Sequence, residues 1–166
     1  MKLHPVLALF AAGPIAAILH EHAWVNRLPE RVATHFGADG VPNGWMSRDD
    51  ATTTYLALVI GLNLLFFLIA LSLGALPSSM VNIPNRDYWL APERRDDTVR
   101  KMAVRMAIFG VAVSTFLIVV FQMDFQAAVD AHPSLPMSAI LPAMCVFFLF
   151  VVVWIGSLVV GFRKPA

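Results

Sequence analysis

Four apolar runs in the chain are each long enough for a helix that crosses a membrane. They cover residues 5–25, 55–76, 102–123 and 137–162, and a spanning helix needs about 20 mainly apolar residues. The second and fourth runs contain no charged residue, and the third contains only Arg105, near its start. The sequence therefore predicts an all-α fold, a four-helix transmembrane bundle that forms one domain over residues 1–166.

The composition argues against several classes of protein. Hydrophobic residues make up 58% of the chain and charged residues 14%, against about 45–50% and 25% in a typical soluble domain. This balance is wrong for a water-soluble enzyme and for a disordered chain. The 12 basic and 11 acidic residues nearly cancel, so bulk charge gives no support for nucleic-acid binding. The single Cys145 excludes an internal disulfide and a cysteine-based zinc site.

The first apolar run has a second interpretation, a cleaved signal peptide with Lys2 as its basic end. The apolar core of such a peptide is usually about 7–15 residues long, and here the apolar stretch continues past the small residues that would mark a cleavage site. Pro14 directly after Gly13 is also a poor cleavage position. We therefore expect a retained helix.

The basic residues are unevenly distributed between the loops. The larger group, at both termini and between the second and third runs, is Lys2, Arg86, Arg94, Arg95, Arg100, Lys101, Arg163 and Lys164. The first loop has three, Arg27, Arg31 and Arg48, and the third loop has none. Cytoplasmic loops carry the excess of basic residues. The pattern predicts a multi-pass membrane protein with both termini cytoplasmic, the first and third loops outside, and bilayer lipid as its immediate partner.

The loop between the first two runs has the turn chemistry of a folded segment. Gly37 and Gly40 bracket Asp39 in one predicted turn, and Pro42-Asn43-Gly44 predicts a second. We expect Phe36 and Trp45 to pack over the outer helix ends and close a cap. Ser47 followed by Asp50 has the form of a helix cap, which predicts the start of the second helix.

Small residues predict where helices approach each other closely, since lipid tails give no hydrophobic driving force for association. In the third run Ala103, Ala107, Gly110 and Ser114 share one face. In the first run the same spacing is found at positions 8, 12 and 16, all of them alanine. Both stripes predict packing faces within the chain. Asn63 is the one side-chain amide deep in a run, and we expect it to form a hydrogen bond between helices.

The loop between the second and third runs contains an aromatic and charged motif, Asn85-Arg86-Asp87-Tyr88-Trp89. Pro92 follows it, and proline suits the first position of a helix. The third helix is therefore predicted to begin near Pro92, in the cytoplasm, and to enter the membrane near Met102.

The first run and the loop after it resemble a family called domain of unknown function 1648. The resemblance is carried by Leu28, Pro29, His35, Phe36, Gly40 and Trp45. The stretch 82–95 resembles a segment that recurs in small members. The family is related to the SdpI-type bacterial immunity proteins, which protect a cell from its own secreted toxin and relay a signal to a repressor. The resemblance implies a protein of the bacterial inner membrane that acts in toxin immunity or envelope sensing. The six residues would then meet an extracellular peptide or toxin, and the motif at residues 85–89 would meet a regulator on the cytoplasmic side.

A different class of function is an alternative, namely a small membrane enzyme or a divalent metal site on the outer face. Its candidate ligands are His20, Glu21, His22 and His35, because imidazole and carboxylate groups suit zinc. Residues two apart on a helix point to nearly opposite sides, so His20 and His22 share an ion only if the helix ends there. No catalytic triad or phosphate loop is recognisable. The main interpretation is therefore a protein without cofactor or catalysis.

Overall fold

The computed structural model describes residues 4–163 as four long helices, two short helical segments and one β-hairpin. In chain order the elements are α1 (His4–Trp24), β1 (Arg31–Phe36), β2 (Pro42–Ser47), α2 (Arg48–Ser72), a 3₁₀ turn (Ser78–Met80), α3 (Arg86–Trp89), α4 (Pro92–Val129) and α5 (Met137–Gly161). Lys2 and Lys164 lie outside the described residues. The four long helices are each long and apolar enough to cross a membrane, as predicted.

Local signals set two helix starts. Ser47 caps α2, and its hydroxyl oxygen accepts a hydrogen bond from the Asp50 backbone N–H at 3.0 Å. Pro92 is the first residue of α4. Both predicted starts are confirmed. α2 begins seven residues before the apolar run and α4 ten residues before it, because hydrogen-bonded helix continues into polar sequence once it is capped.

Helices α1, α2 and α4 pack against one another, and α5 packs mainly against α4. The chain enters and leaves each helix at one of two ends of the bundle. We call the end that carries the hairpin and residues 130–136 the hairpin end. We call the opposite end, with residues 73–91 and Phe162, the basic end.

The small-residue stripe of α4 is buried against its neighbours at Ala103, Ala107, Gly110 and Ser114, so this packing face is confirmed. The predicted stripe of α1 is wrong, since positions 8, 12 and 16 are exposed. The buried positions of α1 are Phe10, Gly13, Ala17 and Trp24. A Cβ on Gly13 would collide with the Ser114 side chain, so the close approach is made at the glycine rather than at the alanines.

Asn63 lies where these three helices meet and is 3% exposed. Its side-chain amide donates to the Ser114 hydroxyl of α4 and, at 2.9 Å, to the Val59 carbonyl of its own helix. The predicted interhelical hydrogen bond is confirmed.

The loop between α1 and α2 is folded, as predicted, and it forms an antiparallel two-stranded sheet that the sequence did not indicate. The register places Val32 opposite Met46, Ala33 opposite Trp45 and His35 opposite Gly44, with irregularities on either side of His35. The turn lies at residues 37–40, where the Gly37 N–H donates to the Val41 carbonyl at 2.8 Å. The second predicted turn is wrong, because Pro42-Asn43-Gly44 forms the start of β2.

Candidate functional site at the hairpin end

The hairpin rests on the helix ends through its first strand and the residues before it. Leu28 is 3% exposed, and Val32 and Ala33 are fully buried. Val32 joins an apolar cluster that includes Trp24, Tyr55 and Phe125. Because these residues come from α1, α2 and α4, the hairpin is fixed to all three helices of the core.

Gly40 joins the hairpin turn to the segment between α4 and α5. Its carbonyl oxygen accepts a hydrogen bond from the Leu135 N–H at 3.0 Å, and its φ is +80°. A Cβ at this position would lie 3.0 Å from the Cα of Pro136. Only glycine meets both conditions, a left-handed backbone and direct contact with another backbone.

The other residues that carry the family resemblance have different surroundings. Pro29 is exposed in the turn before β1, and His35 is exposed with its imidazole hydrogen-bonded to the Asn43 side chain. Phe36 is half-buried. The predicted packing of Trp45 over the helix ends is wrong, since Trp45 is 44% exposed. Trp45 shares a sheet face with Ala33, its cross-strand partner, and the small Ala33 is the buried member of the pair.

Three apolar side chains of the hairpin remain open to the surroundings. Val41 is 56% exposed, Trp45 44% and Met46 40%. Val41 follows the turn and the other two lie on β2. The hairpin thus combines a firmly packed first strand with three exposed apolar side chains, which we call the hairpin patch; adjacent Trp45 and Met46 lie on opposite faces of the sheet.

Below the hairpin, the side-chain amide of Gln122 connects α4 to α1. Its Oε1 atom accepts from Trp24 Nε1 at 2.9 Å and lies 2.8 Å from His20 Nε2. An indole N–H only donates, so the Gln122 atom that it meets is the carbonyl oxygen. His20 must then carry a proton on Nε2, and in the neutral ring its Nδ1 presents a lone pair.

Aromatic rings enclose this polar group. The His20 ring stacks on Phe125 with centroids 5.8 Å apart and meets the edge of Tyr55 at 5.4 Å. Tyr55 also contacts Phe121 at 4.7 Å. Within residues 4–163, neither the Tyr55 hydroxyl nor His20 Nδ1 has a hydrogen-bond partner, although both atoms are buried. The cluster therefore holds two polar atoms able to bind a further group.

The four predicted metal ligands do not meet at one point. His20 faces the core, and His22, two residues further along α1, is exposed. His35 lies on the hairpin. Glu21 is half-buried and interacts electrostatically with Tyr55. Among the described residues no three His, Cys, Asp or Glu side chains are grouped as a metal site requires. Metal binding stays a prediction.

The motif at residues 85–89 lies at the basic end and holds the end of α5. Asn85 Nδ2 and Trp89 Nε1 both donate to the Phe162 carbonyl, at 3.0 and 2.7 Å. Arg86 and Asp87 form an exposed ion pair at 3.4 Å. Tyr88 lies 4.1 Å from the Arg94 guanidinium. In this structure the motif ties the loop to the helix ends, and its contact with a regulator stays a prediction.

Sequence reasoning missed the central position of Gln122 and the burial of Tyr55. The only available signal for Gln122 was a polar residue at the end of an apolar run. Its partners on α1 are about a hundred positions away in the chain, at separations of 98 and 102. Tyr55 gave no signal, because a tyrosine at a run boundary is typical of the membrane interface.

Comparison with known proteins agrees with the resemblance found in the sequence. Residues 15–62 match the model of the family described as domain of unknown function (DUF1648). No curated protein and no solved structure matches the chain. The matched segment contains the second half of α1, the whole hairpin and the first part of α2, so it coincides with the hairpin and its two supporting helices. The chain is a helical, multi-pass membrane protein that carries a DUF1648 domain.

Proposed function

We propose that the hairpin patch recognises a ligand outside the cell and that the protein acts in toxin immunity or envelope sensing, in the manner of the SdpI-type proteins. The observation that carries the proposal is the build of the hairpin. Val32 and Ala33 fix it to the helices while Val41, Trp45 and Met46 stay exposed. A rigid element that presents apolar and aromatic side chains loses little entropy on binding and is suited to recognition.

The distribution of charge supports an outer location for the patch. Most basic residues lie at the basic end, including Arg94, Arg95, Arg100 and Lys101. The positive-inside rule then directs the hairpin end away from the cytoplasm of a bacterial cell. An extracellular peptide or toxin is the class of ligand that would meet the patch there, and the motif at residues 85–89 would face a cytoplasmic regulator.

The experiment compares survival of cells with and without the protein in conditioned medium from a stationary culture of the same strain. Cells that lack the protein should survive at least about ten-fold less well, and the wild-type gene should restore survival. The pair Trp45→Ser and Met46→Ser should fail to restore it. The matched control is Met80→Ser, which changes an exposed methionine (67%) at the opposite end and should restore survival fully.

Membrane levels of each variant are measured by immunoblot, so that loss of function is separated from loss of protein. Equal survival with and without the protein would refute the immunity role. Full protection by the Trp45→Ser, Met46→Ser variant at normal levels would refute recognition by the hairpin patch.

A second candidate function, a metal or catalytic site, is favoured by the two unpartnered atoms of His20 and Tyr55. The lone pair of His20 Nδ1 suits a divalent metal or a proton in transfer. Elemental analysis of the purified protein should then find bound metal that is lost in His20→Gln and kept in His132→Gln. His132 is the matched control because it is an exposed histidine near the same end of the bundle. Metal loss in both variants, or in neither, would contradict a site at His20.

A further inference from the structure

A groove with a basic rim lies between α4 and α5 at the basic end, far from the hairpin. It has a volume of about 510 Å³. Arg100, Lys101 and Arg105 form its rim, and Ile108, Phe150 and Val153 line its apolar wall. We call it the basic groove. Charged and apolar surfaces are separated within it, as they are in an amphiphilic ligand.

The Arg105 side chain is held in a fixed position at the rim. Its Nη1 donates to the Ser157 hydroxyl at 2.8 Å, and its guanidinium lies 5.6 Å from the centre of the Phe162 ring. A Cβ on Gly161 would collide with the guanidinium, so the glycine makes room for it. Arg105 retains further N–H donors that can meet an anion.

The rim carries excess positive charge. Arg100 is paired with Asp97 at 2.8 Å, but both side chains are exposed. Among residues 4–163 no carboxylate lies within 4 Å of Lys101 or Arg105. The Lys101 ammonium instead lies over the Trp89 ring at 5.1 Å. Two cations without acidic partners therefore face the same opening.

The apolar wall of the basic groove continues along the same two helices. A second groove of about 440 Å³ shares Phe150 with it and is lined by Phe116, Val146 and Phe147. The two grooves together extend from the basic rim toward the middle of α5. A phosphate at the rim and a hydrocarbon chain along the wall would match this surface in charge and in polarity.

We infer that the basic groove is a specific binding site for an anionic phospholipid. Its phosphate would meet Arg105 and Lys101, and one acyl chain would lie against Phe150. General attraction between basic residues and an anionic surface is shared by all cations at this end. A fixed guanidinium above an apolar channel adds a defined position, so one lipid is expected to bind more tightly than the rest. The inference does not depend on the proposed function of the hairpin.

The test is native mass spectrometry of the full chain in mild detergent, with equal amounts of phosphatidylglycerol and phosphatidylcholine. One phosphatidylglycerol should bind at least about ten-fold more tightly than phosphatidylcholine, because both carry the phosphate but the basic rim repels the choline cation of phosphatidylcholine. Arg105→Gln and Lys101→Gln should each remove most of this preference. Arg86→Gln removes one positive charge at the same end, outside the groove, and should leave the preference unchanged.

Two further comparisons separate a lipid site from a site for a free anion, and loss of a charge from loosening of α5. Inorganic phosphate at millimolar concentration should not displace the lipid, because the acyl chain contributes to binding. Lys101→Gln breaks no contact between α4 and α5, so its effect is independent of any loosening of α5 in Arg105→Gln. Equal binding of the two lipids, or equal losses in Arg86→Gln and Lys101→Gln, would overturn the inference. Displacement by phosphate alone would also overturn it, since the site would then be one for a free anion.

Discussion

Replacement of Gly40 by alanine tests whether the hairpin is locked to the segment between α4 and α5. The change has two costs that come from separate features of the structure. An L-residue held at φ +80° loses about 1–2 kcal/mol relative to glycine. The new Cβ would lie 3.0 Å from Pro136 Cα and 3.1 Å from Pro136 N, and overpacking of this kind costs about 1–3 kcal/mol. Both contacts are to backbone, which cannot rotate out of the way.

The expected loss in the free energy of local opening is therefore about 2–5 kcal/mol. At the lower limit, amide hydrogen exchange in residues 31–47 should become about 30-fold faster, since 1.4 kcal/mol is a factor of ten. The assay is hydrogen exchange followed by mass spectrometry, on the protein in nanodiscs. Exchange at Leu135 should accelerate as well, because its N–H donates to the Gly40 carbonyl.

The matched control is Gly61→Ala in α2, where a new Cβ meets nothing within 4 Å. Alanine is a better helix former than glycine by about 1 kcal/mol, so the change should not weaken α2. Hydrogen exchange in the hairpin should therefore stay unchanged. Exchange in Gly40→Ala within three-fold of wild type would refute the view that the turn is locked to the Leu135–Pro136 backbone.

Three further predictions concern the bundle and its orientation. Gln122→Leu removes the acceptor of two buried ring N–H groups and should destabilise the protein by about 2–4 kcal/mol, seen as a lower Tm in detergent; an unchanged Tm would contradict the assigned hydrogen bonds. Ser114→Ala should cost only about 0.6 kcal/mol, the average for such bonds in membranes, because Asn63 keeps its bond to its own helix; a loss above about 2 kcal/mol by the same assay would contradict this. Ser47→Cys and Pro133→Cys, in a cysteine-free background, should react with an impermeant thiol reagent from outside the cell; labelling from the cytoplasm alone would reverse the orientation.

The features that could be predicted from the sequence are those set by local chemistry. Apolar length located the four helices, the Ser47 side chain marked the start of α2, and Pro92 marked the start of α4. Each signal depends on residues within a few positions of each other. The positions of the spans could therefore be predicted from the sequence. For the polar segments that α2 and α4 add before their apolar runs, the only local signals were the residues that start each helix.

The features that could not be predicted depend on which side of an element faces the core. The six residues of β2 include Pro42, Asn43 and Gly44, which favour turns, so the strand was concealed by its own turn chemistry. Trp45 was expected to be buried because it is large, yet the fold turns it outward. For the candidate site, the family resemblance indicated Gly40, but its reason lies in Pro136, 96 positions further along the chain.

Helix α5 shows a consequence of packing mainly against a single neighbour. None of its residues is buried in the chain, and among the described long helices its extensive packing is against α4. The contacts among α1, α2, α4 and the hairpin therefore do not involve α5. Chains emerge from the ribosome with their N-terminal parts folding first. We therefore expect α5 to dock last, through its contacts with α4, and most of its surface to face the surrounding lipid.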